Sequence, residues 1–263
     1  MKILYFLLLL LFINTTNTFG SDAVEFIDLG NFSQQSIDRI IGVSNETPQV
    51  ENKIETISQN FLNVPYLGHT LIGSNSKQEI LTINLSGMDC FTYIDYVEAI
   101  RNSSDFNSFK YQVKNIRYKD GIVDYRSRNH FFSDWTQNNS SIVNDITKTF
   151  GSGNTITVKK YLNLKNDGSN YLEGIPVVER NITYIPTNKI SPGVIEKLKT
   201  GDYIGIYSNI DGLDVSHTGI VVKNEDKAFI RHASSRKINN KVVDEELVVY
   251  LKNKPGIVVY RPI

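Results

Sequence analysis

The feature that most limits what this chain can fold into is its cysteine content: one residue, Cys90, among 263. A single thiol closes no internal disulfide, so the fold has to be held by a hydrophobic core. This matters because the N-terminus reads as an export signal. Lys2 precedes an unbroken apolar run, Ile3 to Ile13, and small and polar residues follow through Thr18-Phe19-Gly20-Ser21. A membrane-spanning helix takes about 20 apolar residues; this run has the length and the positive flank of a signal-peptide core. We read residues 1–20 as a signal peptide and residues 21–263 as one domain. The expectation is an exported protein, periplasmic or secreted, with no stable membrane span after cleavage. Hydrophobic residues make up 40% and charged residues 21% of the chain, a globular composition. Lys+Arg and Asp+Glu each number 28, so there is no basic excess of the kind that phosphate neutralisation requires, which argues against a nucleic-acid partner.

Along the chain, Ile37, Ile40 and Ile41, then Ile54, Ile57 and Phe61, recur at spacings of three and four. The spacing predicts two short helices between Ser33 and Leu62, broken at Gly42 to Pro48. Ile80 to Leu85 alternates apolar and polar residues, as a short strand does. Ser86-Gly87-Met88-Asp89-Cys90 follows, and then Phe91, Ile94, Val97 and Ile100 at helical intervals. Asp89 fits an N-cap, which puts Cys90 in the first helical turn. A helix start favours negative charge, and the thiolate is the nucleophilic form of cysteine, so Cys90 is placed to react. Taken alone, the pattern is equally that of ordinary helix initiation.

Residues 102–200 are richer in Asn, Ser, Lys and aromatics, with turn signals at Lys119-Asp120-Gly121, Gly151-Ser152-Gly153 and Asn166-Asp167-Gly168. We read this segment as an inserted lobe. Within it, Asp124-Tyr125-Arg126-Ser127-Arg128-Asn129-His130-Phe131-Phe132-Ser133-Asp134-Trp135 is dense in polar and aromatic groups. Arg126, Arg128, Asn129, His130, Asp134 and Trp135 could line a substrate groove, guanidinium forks meeting carboxylates and the indole forming a platform. The plain alternative is a salt-bridged structural corner.

After Thr200 the chain turns β-rich: Tyr203–Tyr207, Thr218–Val222, Ala228–Ile230 and Gly256–Tyr260 read as antiparallel strands. His217 lies directly before one and His232 just after another. Two strands joined through Lys223 to Lys227 would bring both imidazoles to one sheet edge, facing the helix that begins at Cys90. In such a Cys–His–His arrangement His217 takes the thiol proton and His232 orients it. A protonated His217 and the helix start are both expected to lower the thiol pKa.

Val64-Pro65-Tyr66, Asp89-Cys90, Gly201-Asp202-Tyr203, Ser216-His217-Thr218-Gly219-Ile220 and Arg231-His232-Ala233, in that order, resemble the NlpC-type papain-like hydrolases of bacterial peptidoglycan. More narrowly, Asp89-Cys90-Phe91-Thr92, the Arg126 to Trp135 stretch, Ser216-His217-Thr218-Gly219 and Arg231-His232-Ala233-Ser234-Ser235 resemble the N-acetylmuramoyl-L-alanine amidase-like branch. Phe91 and Thr92 stand where the wider family commonly has serine and glycine. The resemblance implies an α+β, papain-like fold, with the nucleophile's helix packed on an antiparallel sheet. It implies Cys90 as nucleophile, His217 as base, His232 as the third member, and Tyr66 beside the nucleophile, helping with substrate or, together with the Cys90 backbone, the oxyanion. The implied partner is peptidoglycan or its muropeptide fragments, with no cofactor and no metal, and a monomer is expected.

Three alternatives stand beside this reading. One is an endopeptidase of the same fold cutting between γ-D-glutamyl and the diamino acid. Another is a zinc amidase using His130 and Asp134 at i, i+4, although no His-Glu-x-x-His helix occurs. The last is a catalytically silent wall-binding module. His69, near Tyr66, could also reach the cleft.

Overall fold

The computed structural model describes residues 24–151, 153–224 and 227–263, so the signal-peptide reading of residues 1–20 lies outside the described residues. In chain order the elements are β1 (Glu25–Asp28), α1 (Gln34–Asn45), α2 (Val50–Gln59), β2 (Ile72–Ser74), β3 (Lys77–Asn84), α3 (Cys90–Arg101) and α4 (Phe106–Arg117). Then come α5 (Phe132–Asn138), β4 (Val143–Asp145), α6 (Thr147–Gly151), β5 (Ile156–Leu162), β6 (Val178–Pro186) and α7 (Pro192–Lys197). The chain closes with β7 (Tyr203–Tyr207), β8 (Val215–Asn224), β9 (Lys227–Ala233), β10 (Val242–Glu246), α8 (Leu247–Leu251) and β11 (Gly256–Pro262).

The result is a mixed α+β fold built on a large antiparallel sheet. Eight strands form it, in the order β10-β9-β8-β7-β11-β6-β5, with β4 paired to β11 off that path. A smaller sheet, β1-β3-β2, joins β1 to β3 in parallel and β2 to β3 antiparallel. Residues 102–200, read from the sequence as an insertion, supply β5 and β6 to the large sheet and α4 to the helical layer beside α3.

Strand alternation splits the core into two layers, because successive side chains point to opposite faces. Tyr203, Ile220, Ala233, Val242 and Val258 face the layer that contains α1 to α4. Ile204, Ile206, Val221, Ile230, Ile257 and Val259 face a second cluster with Val194 and Leu198 near α7 and Leu247 and Leu251 on α8. The two predicted helices appear as α1 and α2, burying Ile37, Ile40, Ile41, Ile54 and Ile57. The break is narrower than Gly42 to Pro48: α1 runs through Gly42 to Asn45 and stops just ahead of Pro48, whose ring disfavours helical geometry in the residue before it.

Helix α3 is enclosed. Every residue from Thr92 to Ile100 is buried, the mark of a helix surrounded by protein rather than laid on a surface. Its two inward carboxylates are paired. Asp95 accepts from Arg117 Nε at 2.8 Å and from Trp135 Nε1 at 3.0 Å, while Glu98 accepts from Arg101 and from the Tyr203 hydroxyl. Removing one partner of a buried ion pair strands the other charge, at a cost of about 3–5 kcal/mol. Asp95→Ala should therefore lower the unfolding free energy by about that amount in urea titrations; a loss near zero would show that Arg117 has another way to be satisfied.

Candidate functional site

The local sequence builds the start of α3 tightly. Asp89, in extended conformation, accepts from the Phe91 and Thr92 amides at 3.0 and 2.7 Å, and Thr92 Oγ1 accepts from the Asp89 amide at 3.0 Å. This reciprocal cap makes Cys90 the first helical residue, as the sequence predicts. The cap uses the Phe91 and Thr92 amides and leaves the Cys90 N–H aside. From the sheet side, Thr218 Oγ1 donates to the Cys90 carbonyl at 2.8 Å, so the residue next to His217 is fastened to the candidate nucleophile. The segment before α3 is held as well: Tyr66 N–H donates to Asn240 O, and Leu67 N–H to Met88 O. Tyr66 lies close enough that negative charge on Cys90 and Asp89, after burial, helps to raise its hydroxyl pKa.

The two histidines sit on neighbouring strands and touch. His217 Nε2 and His232 Nδ1 are 2.6 Å apart, with the rings perpendicular at 89°. His232 Nε2 lies 2.8 Å from Glu245 Oε1 on β10, and Glu245 also accepts from Asn239 Nδ2 and pairs with Arg236. Tyr250, on α8, packs its ring against both imidazoles, flanked by Arg236 and Lys254.

Cys90, His217 and Thr218 line one cleft of about 260 Å³, with Phe91, Phe131, Phe132, Tyr171, Leu172 and Leu213 as its apolar walls and His130, Asp214 and Ser216 as polar points. Larger hollows, of about 310, 390 and 520 Å³, lie elsewhere and hold neither Cys90 nor a histidine. Burial sets the electrostatics. It pushes the Cys90 thiol up to about 11, with Asp89 adding and Thr218 and the Cys90 N–H opposing. It takes His217 down to about 3, helped by His232, Lys254 and Arg236, and His232 down to about 4, helped by Arg236. At neutral pH a neutral thiol therefore faces a neutral imidazole. The expected lowering of the thiol pKa by a protonated His217 does not occur, because desolvation disfavours both charges more than the helix start favours one. Among the described residues no hydrogen bond joins the Cys90 sulfur to His217.

The stretch from Arg126 to Trp135 divides. His130 does reach the cleft; its Nε2 is 2.7 Å from the Tyr125 carbonyl, and burial takes its pKa down to about 4. The other five do not line it, although Arg128 and Asn129 line an adjoining hollow of about 150 Å³ that shares Phe91 and His130 with the cleft. Trp135 is 0% exposed, bonded to Asp95 and stacked on Phe132, so no ring face remains for a sugar. Arg128 is clamped by Glu79 through two hydrogen bonds, Asn129 donates to Ile116 O, and Asp134 pairs with Arg180 at 2.7 Å. Arg126 is exposed and lines a separate hollow with Ser74 to Glu79. Most of this segment is thus a structural corner. His130 precedes α5, whose first residue is Phe132, so it shares no helix face with Asp134. His69 is exposed and outside the cleft. Thr218, Glu245 and Tyr250 went unnoticed in the sequence. The acidic run Asp244-Glu245-Glu246, complementary to Arg231-His232 one strand earlier, was the available signal for Glu245.

Comparison with known proteins gives a consistent picture. The family model described as AmiA-like, N-acetylmuramoyl-L-alanine amidase-like, matches residues 56–257. No curated protein matches. A solved N-acetylmuramoyl-L-alanine amidase from Bacteroides uniformis is 28% identical, with a TM-score of 0.67 over 81% of this chain and 98% of its own. Protein LPG0564 from Legionella pneumophila has the same fold, with a TM-score of 0.74 at 23% identity over 88% of this chain and 94% of its own. A Bacteroides fragilis structure whose name proposes a xylanase is 28% identical, with a TM-score of 0.65 over 78% and 99%.

The neutral thiol has a direct readout. Cys90 is half-buried at the cleft, so a small alkylating reagent can reach it. The alkylation rate should climb tenfold per pH unit through neutrality and level off only towards pH 11. A plateau already reached near pH 6 would reveal a resting ion pair instead.

Proposed function

Because the chain belongs to the N-acetylmuramoyl-L-alanine amidase-like family, we propose that it is a cysteine hydrolase of bacterial cell-wall muropeptides. The bond cut is the amide between the lactyl group of N-acetylmuramic acid and L-alanine. The observation that carries this reading is the hydrogen-bonded His217–His232 pair sharing a cleft with Cys90, whose carbonyl is tied to the neighbouring Thr218. A nucleophile at a helix start, with its base on the adjoining antiparallel sheet, favours the NlpC-type, papain-like reading of the fold.

In the proposed reaction His217 removes the Cys90 proton as the sulfur attacks the amide carbon. The high thiol pKa makes transfer concerted with attack the economical route, because no charge pair is stored in the empty cleft. Catalytic hydrogen bonds are often long before substrate arrives, so His217 and Cys90 close on each other in the complex. The developing oxyanion takes the Cys90 N–H left over by the Asp89 cap, and Tyr66 stands beside it as a second donor. His217 gives its proton to the departing amine, leaving a thioester on the lactyl group. Water, deprotonated by the same imidazole, then releases the acid. His130, at the cleft wall, with Arg128 and Asn129 in the adjoining hollow, is the part of the Arg126 to Trp135 stretch placed to contact substrate. The protein works outside the cytoplasm, exported by residues 1–20; among the described residues no helix is long and apolar enough to cross a membrane.

Glycoside cleavage is disfavoured by the lining of the cleft. It takes two carboxyl groups flanking the scissile bond. The cleft lining that includes Cys90 has one, Asp214, whose oxygens are already used by the Ser133 and Val215 amides, and the nearby Asp89 is spent on the helix cap.

Digestion of purified muropeptides, read by mass, should release intact stem peptides, and Cys90→Ala should abolish at least about 10³-fold of the rate. Products retaining L-Ala-D-Glu on the sugar would reassign the enzyme as an endopeptidase, and full activity without the thiol would discard the mechanism. The pH profile is a separate check. Burial lowers the pKa of His217 to about 3, so its base form persists as pH falls and is lost only on protonation near that value. The acidic limb of kcat/KM should accordingly lie below about pH 4, provided the fold survives; a limb near pH 6.5 would mean an unperturbed imidazole.

A further inference from the structure

The chain of contacts does not stop at His232. We infer that Glu245 is a positioning residue that sets the tautomer of both imidazoles, leaving His217 Nδ1 bare to receive the thiol proton. The inference rests on the proposed role of Cys90 and His217, and deepens it.

The argument follows the protons. Glu245, paired with Arg236, offers carboxylate oxygens, which only accept. The contact of 2.8 Å from His232 Nε2 to Glu245 Oε1 therefore puts a proton on that nitrogen. A neutral imidazole carries one N–H, so His232 Nδ1 is a lone pair. The proton in the 2.6 Å contact between the rings must then belong to His217 Nε2. By the same count His217 Nδ1 carries none, and it is the one ring nitrogen not engaged by His232. Three strands hold this relay: His217 on β8, His232 on β9 and Glu245 on β10. Arg236, from the segment before β10, meets the other carboxylate oxygen, Oε2, and Asn239, from the same segment, donates to the Oε1 that faces His232. Because Arg236 offsets the charge of Glu245, the contribution is orientation of the rings rather than net charge delivered to them.

Glu245→Gln tests this sharply. Arg236 only donates, whereas the Asn239 amide can turn over to accept, so the new amide is driven to turn its oxygen to Arg236 and its NH₂ to His232 Nε2. That nitrogen then has to be the acceptor, the His232 proton moves to Nδ1, and the His217 proton moves to its own Nδ1, where it blocks the base. In the wild type, ¹⁵N–¹H correlation spectra of the imidazoles should show both His217 and His232 protonated at Nε2; in Glu245→Gln both should be protonated at Nδ1. With muropeptide substrate, kcat should fall roughly 10²- to 10⁴-fold while KM changes little. Adding Arg236→Met frees the amide to present its oxygen to His232 and should return most of the lost kcat together with the wild-type tautomers. Nδ1-protonated rings in the wild type would overturn the inference even if no variant folds. So would unchanged tautomers or kcat in Glu245→Gln, or a loss that Arg236→Met does not relieve, since that is the behaviour of a merely structural carboxylate. Should the wild type prove inactive on muropeptides, the proposed function fails, while the tautomers of the resting protein still decide the role of Glu245.

Discussion

Two hydrogen-bonding devices fasten the first turn of α3, and the site is organised around them. From below, Asp89 closes a reciprocal cap with Thr92; from the side, Thr218 of the central sheet donates to the Cys90 carbonyl. The cap spends the Phe91 and Thr92 amides and spares the Cys90 N–H. The tether makes the helix start and strand β8 one piece, and His217 is the very next residue along that strand. A cysteine at a helix start is common. One whose carbonyl is tied to the neighbour of a histidine is a much more particular object, because one short hydroxyl tether, rather than two flexible side chains, sets the spacing of a nucleophile and a base.

The energetics of the pair follow from the same enclosure. A dipole at a helix terminus contributes on the order of 1 kcal/mol, whereas removing an ionised group from water costs several. With apolar walls around Cys90 and Tyr250 against the two rings, desolvation wins, and both partners rest uncharged. The cationic groups nearest the imidazoles, Arg236 and Lys254, act in the same direction by opposing their protonation.

What could be read from the sequence divides along the range of the interactions concerned. Helices α1 and α2, the cap at Asp89 and strands β7, β8, β9 and β11 depend on neighbours within a few positions, and their patterns are visible in the letters. Cys90 begins such an element, while His217 and His232, expected directly outside their strands, lie within β8 and β9 close to their ends. The Arg126 to Trp135 stretch was ambiguous for a physical reason: clustered arginines and aromatics describe a sugar-binding groove and a salt-bridged core corner equally well. Only the partners decide, and these are remote. Asp95 meets Trp135 and Glu79 meets Arg128, across 40 and 49 positions. Glu245 escaped notice because its meaning depends on the pairing of β10 with β9, which brings a residue from an ordinary acidic run to the far nitrogen of His232.

The enclosure of α3 reaches beyond chemistry. Segments that open independently are those with few buried contacts and solvent-exposed backbone bonds. Here the nucleophile begins a helix buried from Thr92 to Ile100, and its partners lie on adjoining strands of the large sheet. Neither half can fray without dismantling the globule's interior, so the reactive centre belongs to the last part of the molecule to exchange its amide protons. Tyr171 and Leu172, which wall the cleft, are themselves fastened to Asn163, so substrate meets a slot whose floor and wall are both built before it arrives.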